Sequence, residues 1–231
     1  MSLTPPDHSR TLVMACATVI EEMLPLMPEG MQHQVFDFGL HVNPDKLRSA
    51  LQEAIDAVSG QFDTIILGYG LCSQAILGIR ANGCRLVVPR VDDCIAIFLG
   101  SRSAYTAQCQ AEPGTYYLTK GWIEVGDTPF SDYERSVQRY GKARAERIYQ
   151  VMMGHYRRLA LINTGQYELE KYREYTRHTA EKFGLRFEEI EGSDALVKKM
   201  LSGAWDEEFV VIQPGETFAL HHFYHFEEGA A

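Results

Sequence analysis

Phe62-Asp-Thr-Ile-Ile-Leu-Gly68-Tyr-Gly70-Leu-Cys72-Ser73 is an apolar run that ends at two glycines one residue apart. A short apolar segment bounded by glycine reads as a buried strand. The glycines let the chain turn tightly towards a helix, with backbone N–H groups exposed. The same plan recurs upstream. Thr11-Leu-Val-Met-Ala-Cys16 predicts a first strand, residues 34–40 a second, and residues 44–59 a helix between strands. Asn43 suits the cap of that helix and Pro44 its first turn, while Leu47, Leu51, Ile55 and Val58 form one apolar stripe.

A second β-α-β-α-β pass starts at Arg158-Leu-Ala-Leu-Ile-Asn163. A helix near 166–183 stops at Gly184, and a strand follows over 185–190. Ser193 suits the cap of a short helix closed by Gly203, and Phe209-Val-Val-Ile-Gln-Pro-Gly215 predicts a last strand. A shift of 147 positions lays Leu12 on Leu159, Phe62 on Phe209 and Gly68 on Gly215. The reading is therefore α/β: two similar Rossmann-like βαβαβ lobes with parallel sheets, at 10–94 and 158–217. A helical insertion at 95–157 separates them, and a tail follows at 218–231. In the insertion, Ser131-Asp-Tyr-Glu134 has the spacing of a capping box.

Size and charge narrow the function. The 231 residues are 45% hydrophobic and 23% charged, with a net charge of −9. A general nucleic-acid binder needs a basic face to neutralise phosphates, and none is present. No segment approaches the roughly 20 apolar residues that span a bilayer, and Met1–Arg10 lacks the charged-then-apolar plan of a secretory signal. A cytoplasmic protein without membrane or nucleic-acid partners is expected. In a reducing compartment its five cysteines are free, metal-bound or catalytic.

Cys16, His41, Cys72 and Cys94 stand just past four separate strand-like segments. In an open parallel sheet the carboxyl ends of the strands form the ligand crevice. Three thiols and an imidazole meeting there suit a soft metal or a reactive-thiol centre. A helix amino terminus would favour thiolate at Cys72. Asp92 or Asp93 beside Cys94 opposes ionisation unless a cation is near, which favours a metal over a bare thiolate. Asp93 and Tyr69 are the candidate catalytic groups. Gly68, Gly70 and Ser73, or Gly100 and Ser101, are candidates for a backbone cradle of a cofactor or anion. Tyr69, Tyr105, Tyr116, Tyr117 and Trp122 could line a cleft for a planar ligand, or could simply pack between lobes. Cys84 and Cys109 read as ordinary packing.

Cys16 after the first strand, His41-x-Asn43-Pro44, Gly68-Tyr-Gly-Leu-Cys72, Asp93-Cys94-Ile, Leu99-Gly100-Ser101, Tyr105, Gly121-Trp122 and Ile190-Glu-Gly192 resemble the prokaryotic domain-of-unknown-function family 1638. The resemblance covers residues 11–217. Val91-Asp92 stand where that family tends to carry a histidine. The family is associated with corrinoid-dependent methyl-transfer systems, so the resemblance implies one-carbon metabolism, a small-molecule substrate and a corrinoid protein partner. The expected function is a zinc-thiolate protein acting as a methyltransferase, with Cys16, His41, Cys72 and Cys94 as ligands. The alternative is an accessory protein that holds an iron–sulfur cluster or a small ligand on the same residues.

Overall fold

The computed structural model describes residues 7–72, 74–125 and 128–224. Strand β1 (Thr11–Cys16) leads into helix α1 (Ala17–Met23), β2 (Gln32–Phe36), α2 (Pro44–Ala57), β3 (Thr64–Gly68) and β4 (Arg85–Pro89). Helix α2 starts as its residues dictate, with the Asn43 side chain accepting from the Lys46 N–H at 3.1 Å and Leu47, Leu51 and Ile55 buried. The chain continues through α3 (Ile95–Phe98), α4 (Arg102–Ala111), β5 (Thr115–Leu118), α5 (Lys120–Glu124), α6 (Pro129–Tyr140) and α7 (Lys142–Met153). It closes with β6 (Arg158–Asn163), α8 (Leu169–Phe183), β7 (Arg186–Glu191), α9 (Ala195–Ser202) and β8 (Phe209–Ile212).

The fold is α/β, with strands in two sheets. The first has the order β2-β1-β3-β4-β8, the second β5-β6-β7. All pairings are parallel except β4 with β8, where Leu86 faces Ile212 and Pro89 faces Phe209 in antiparallel register. Strand allocation departs from the sequence reading in two places. The strand at 209–212 joins the first sheet rather than the second unit, and residues 115–118 of the expected insertion open the second sheet. The 147-residue correspondence fails with it, because Phe62 precedes an inner parallel strand and Phe209 starts an antiparallel edge strand. A four-residue apolar run is compatible with either sheet and either direction; the exposed edge of β4 decided it.

Strand β6 joins the two halves. Ala160 and Ile162 pack into the core around the first sheet, while Leu159 and Leu161 belong to a second cluster with Phe130, Tyr149, Met153 and Tyr172. Alternation with period two explains this division. Helices α6, α7 and α8 thus supply the second cluster, which covers one face of the smaller sheet. Helix α6 is capped by Thr128, which exchanges bonds with Ser131, so Ser131 is the third helical residue and not the cap. Beyond β8, Phe218 pairs backbone groups with Gly78 and Ile79, and Phe218 and Phe223 are buried against the first sheet's unit.

Candidate functional site

In the order β2-β1-β3-β4, the chain moves from β1 to one side for β2 and to the other for β3. The crevice at such a reversal lies at the carboxyl ends of the strands. Cys16 is the last residue of β1, Cys72 follows β3 by four positions and Cys94 follows β4 by five. The segment Phe38–Val42 follows β2 and brings His41. Backbone bonds join the loops: Leu71 N–H donates to Val91 O at 2.9 Å, and Cys72 N–H to Asp92 O at 3.1 Å.

Glycine is required at the join. A Cβ on Gly70 would stand 2.8 Å from the Asp93 nitrogen and 2.9 Å from the Val91 carbonyl oxygen. Gly68 is equally confined, with Ala15 Cβ at 2.7 Å from its own ideal Cβ position. Cys72 adopts φ +46° and Gln74 φ +70°. Non-glycine residues in this left-handed region carry strain of about 1–2 kcal/mol each, and such strain concentrates at functional sites.

The three thiols feel one another. Burial raises the Cys72 thiol to about 12, with the Cys16 charge adding to the effect. Cys94 is raised well above its ordinary value by burial, then by Cys16 and Cys72. Cys16 is raised by burial too, although Thr18 Oγ1, 3.0 Å from its sulfur, offsets part of that. The expected thiolate at a helix amino terminus is therefore corrected for Cys72. Turns, not a regular helix, occupy the described residues 74–78, and desolvation favours the neutral thiol.

Tyr69 stands among these sulfurs. It is 1% exposed, and its hydroxyl has no hydrogen-bond partner among the described residues. Its ionisation is opposed by burial and by the charges of Cys16, Cys72 and Cys94. The His41 ring lies between those of Phe38 and Tyr69, with centroids 5.5 and 5.7 Å away. His41 Nδ1 is 3.1 Å from the Phe38 carbonyl, so Nδ1–H donates and Nε2 keeps the lone pair. Burial lowers the His41 pKa, which keeps the ring neutral. Cysteine sulfur and imidazole nitrogen are ligand types that zinc takes. Among the described residues, no three His, Cys, Asp or Glu side chains already close on a common ion position.

A cavity of about 480 Å³ opens beside them, with Cys72, Asp93 and Cys94 among its lining residues. Asp93 Oδ1 accepts from Ile95 N–H at 2.9 Å, and Oδ2 from the Tyr105 hydroxyl at 3.1 Å. Burial raises the Asp93 carboxyl, these two bonds acting against it. Tyr105, Tyr116, Tyr117 and Trp122 also line the cavity. The stretch read as an insertion thus supplies a wall of the site. Cys109, Phe38 and Tyr156 line it as well, none of them singled out by the sequence. Cys109 was legible in principle, being four residues from Tyr105 on one face of α4.

Other candidates fall elsewhere. Ser101 caps α4, accepting from Ala104 N–H at 3.1 Å, and Gly100 abuts Ser193. Neither is among the residues lining this cavity. Ser73 lies outside the described residues. No helix among the described residues is long and apolar enough to cross a membrane. A family model described as "Protein of unknown function (DUF1638)" matches residues 35–201. No curated protein and no solved structure matches the chain.

Proposed function

The chain belongs to the DUF1638 family of unknown function, and from its site we propose that it is a metal-thiolate protein that performs methyl transfer on a small molecule. The placement of Cys16, Cys72 and Cys94 after β1, β3 and β4, beside the reversal of strand order, carries the reading. Cys16, Cys72 and Cys94 would hold zinc, with His41 Nε2 as a fourth donor or that position left to substrate. Zinc bound in this way keeps a sulfur nucleophilic at neutral pH. The residues supply the rest. The Tyr69 hydroxyl can donate to a thiolate, because no group among the described residues takes its proton. Asp93 anchors Tyr105 at the cavity wall and fixes the first turn after Cys94. Cys16 is shielded from solvent at 1% exposure, while Cys72 and Cys94 border the cavity through which a substrate would reach them. A corrinoid protein as methyl partner is part of the same proposal, suggested by the family association.

Metal analysis of anaerobically purified protein tests it. About one zinc per chain, lost in Cys72→Ala and Cys94→Ala while the circular dichroism spectrum is kept, is the expected result. Iron, sulfide and visible absorbance would replace zinc with a cluster on the same cysteines. Metal-free protein of full stability, unable to take up zinc, sinks the reading.

A further inference from the structure

We propose that the cavity beside the cysteines binds a short extended peptide, which pairs with the free edge of β5. This deepens the proposed function by naming a ligand class for the same site, and rests on it for the chemistry alone; the pairing itself needs no metal.

Three consecutive residues carry the argument. Thr115, Tyr116 and Tyr117 all line the cavity, yet neighbours on a strand point to opposite faces. Tyr117 packs in the core around the first sheet and meets Tyr105 edge-on, with ring centroids 6.1 Å apart. Tyr116 packs on the other side, against Phe130 and Tyr156. A space confined to one face of β5 can touch Tyr117 or Tyr116, but not both. This one therefore runs past the edge of the strand, where main-chain groups point.

That edge is unpaired. Strand β5 is the outer member of β5-β6-β7, and the main-chain groups of successive residues point alternately to its two sides. The Gly114 carbonyl accepts from the Arg158 N–H at 3.0 Å, so Gly114, Tyr116 and Leu118 direct their main-chain groups to β6. Thr115 and Tyr117 direct theirs outwards. Among the described residues, no main-chain group outside the sheet bonds to either.

Solvent-facing edge strands are commonly blunted by lysine, proline or a bulge, which discourages further pairing. Thr115-Tyr-Tyr-Leu118 has no charge and no proline, and it is made of residues that strands favour. The edge is thus competent to accept another strand. The cavity of about 480 Å³ is of the size that holds small molecules. An added strand takes its affinity from main-chain bonds and its specificity from alternate side chains. Cys72 and Cys94 line the same space, so pairing with β5 would bring a peptide into the cavity that the thiols border.

The capped tetrapeptide acetyl-Thr-Val-Thr-Val-amide and two of its N-methylated isomers provide the test. Binding to the full chain is measured by calorimetry, and by amide hydrogen exchange in NMR. Methyl groups on the first and third residues leave alternate N–H groups free to pair. Methyl groups on the second and third interrupt pairing in either register. The first isomer should bind within about threefold of the parent peptide, and the second about tenfold more weakly or worse. Bound peptide should slow exchange at Thr115 and Tyr117 by about tenfold or more. Exchange at Tyr116 and Leu118, already bonded to β6, should stay as it was. Equal binding of the isomers, binding of no peptide at millimolar concentration, or protection without that alternation overturns the proposal. So does undiminished affinity for the same peptide lengthened by Gly-Ser at both ends, which would make the ligand a loop of a larger protein. Zinc is assayed in the same samples. Alternating protection in zinc-free protein that cannot be loaded keeps the peptide site and removes the metal reading. Zinc-loaded protein without such protection does the reverse.

Discussion

The backbone N–H of Cys72 donates to the carbonyl of Asp92 at 3.1 Å, so the segment leaving β3 is tied to the segment leaving β4 through main chain alone. Two cysteines that are 22 positions apart in sequence therefore keep their relative placement whatever their side chains carry. Substituting either thiol should change chemistry without changing the loops. Substituting the glycine between the loops should do the opposite.

Gly70→Ala puts a methyl group 2.8 Å from the Asp93 nitrogen, where neither backbone segment can yield cheaply. Overpacking of this kind costs about 1–3 kcal/mol. The urea midpoint should fall accordingly. A change within the roughly 0.5 kcal/mol of an ordinary surface substitution would mean that the loops part freely.

Gln74 is exposed and has φ +70°. Its carbonyl accepts from Arg48 Nη2 at 3.2 Å, a bond that survives any side-chain change. Gln74→Gly removes left-handed strain of about 1–2 kcal/mol, partly offset by the greater freedom of glycine in the unfolded chain. A net gain of about 0.5–1 kcal/mol is expected, seen as a higher urea midpoint at unchanged slope. Destabilisation would show that the side chain holds the turn.

Arg158 is buried to 4% side-chain exposure and directs its Nε to Thr115 Oγ1 at 2.7 Å. Thr115→Val leaves that charged donor unpaired, at about 1.5–3 kcal/mol. Glu188→Gln should cost less, since Glu188 is 37% exposed and water can replace it. Thermal unfolding of the two variants gives the order; the reverse order would place the weight on the ion pair.

Glu22 is 3% exposed, with Oε2 bonded to Thr164 at 2.5 Å and Oε1 unpartnered. Burial raises its pKa above 4.5, Glu21 adding to the rise while the Thr164 bond and the Lys120 charge oppose it. The folded state then holds a proton that the unfolded state has lost, so stability falls as pH rises from about 4.5 through the folded value. Glu22→Gln abolishes this loss. The variant's Tm should exceed the parent's at neutral pH and the gap should close towards about pH 4; a gap independent of pH assigns the effect to another group.

Much of this architecture was legible residue by residue. Asn43 and Pro44 set the start of α2, Gly184 the end of α8, and the apolar runs at 11–16 and 158–163 are strands as read. Each rests on local chemistry: a cap, a ring that pre-sets φ, a residue that tolerates φ +68°. The cysteines at strand ends were legible for the same reason. Less local matters were not. Residues 115–118 look unremarkable until β6 offers them an edge, and Cys109 gains meaning only because α4 turns it towards Tyr105. Ser131 mimicked a cap because its spacing to Glu134 is right, yet Thr128 and Pro129 start the helix one turn earlier.

By itself, the sequence determined where strands and helices fall and that thiols stand at the carboxyl ends of β1, β3 and β4. Periodicity, caps and glycines are properties of neighbouring residues, which the chain carries with it. Only the tertiary structure decided that β8 runs antiparallel on the first sheet, that an apparent insertion walls the cavity, and that burial opposes ionisation at Cys72 where a helix would have promoted it. Edge pairing and desolvation depend on what else packs nearby, and no short stretch of residues encodes that.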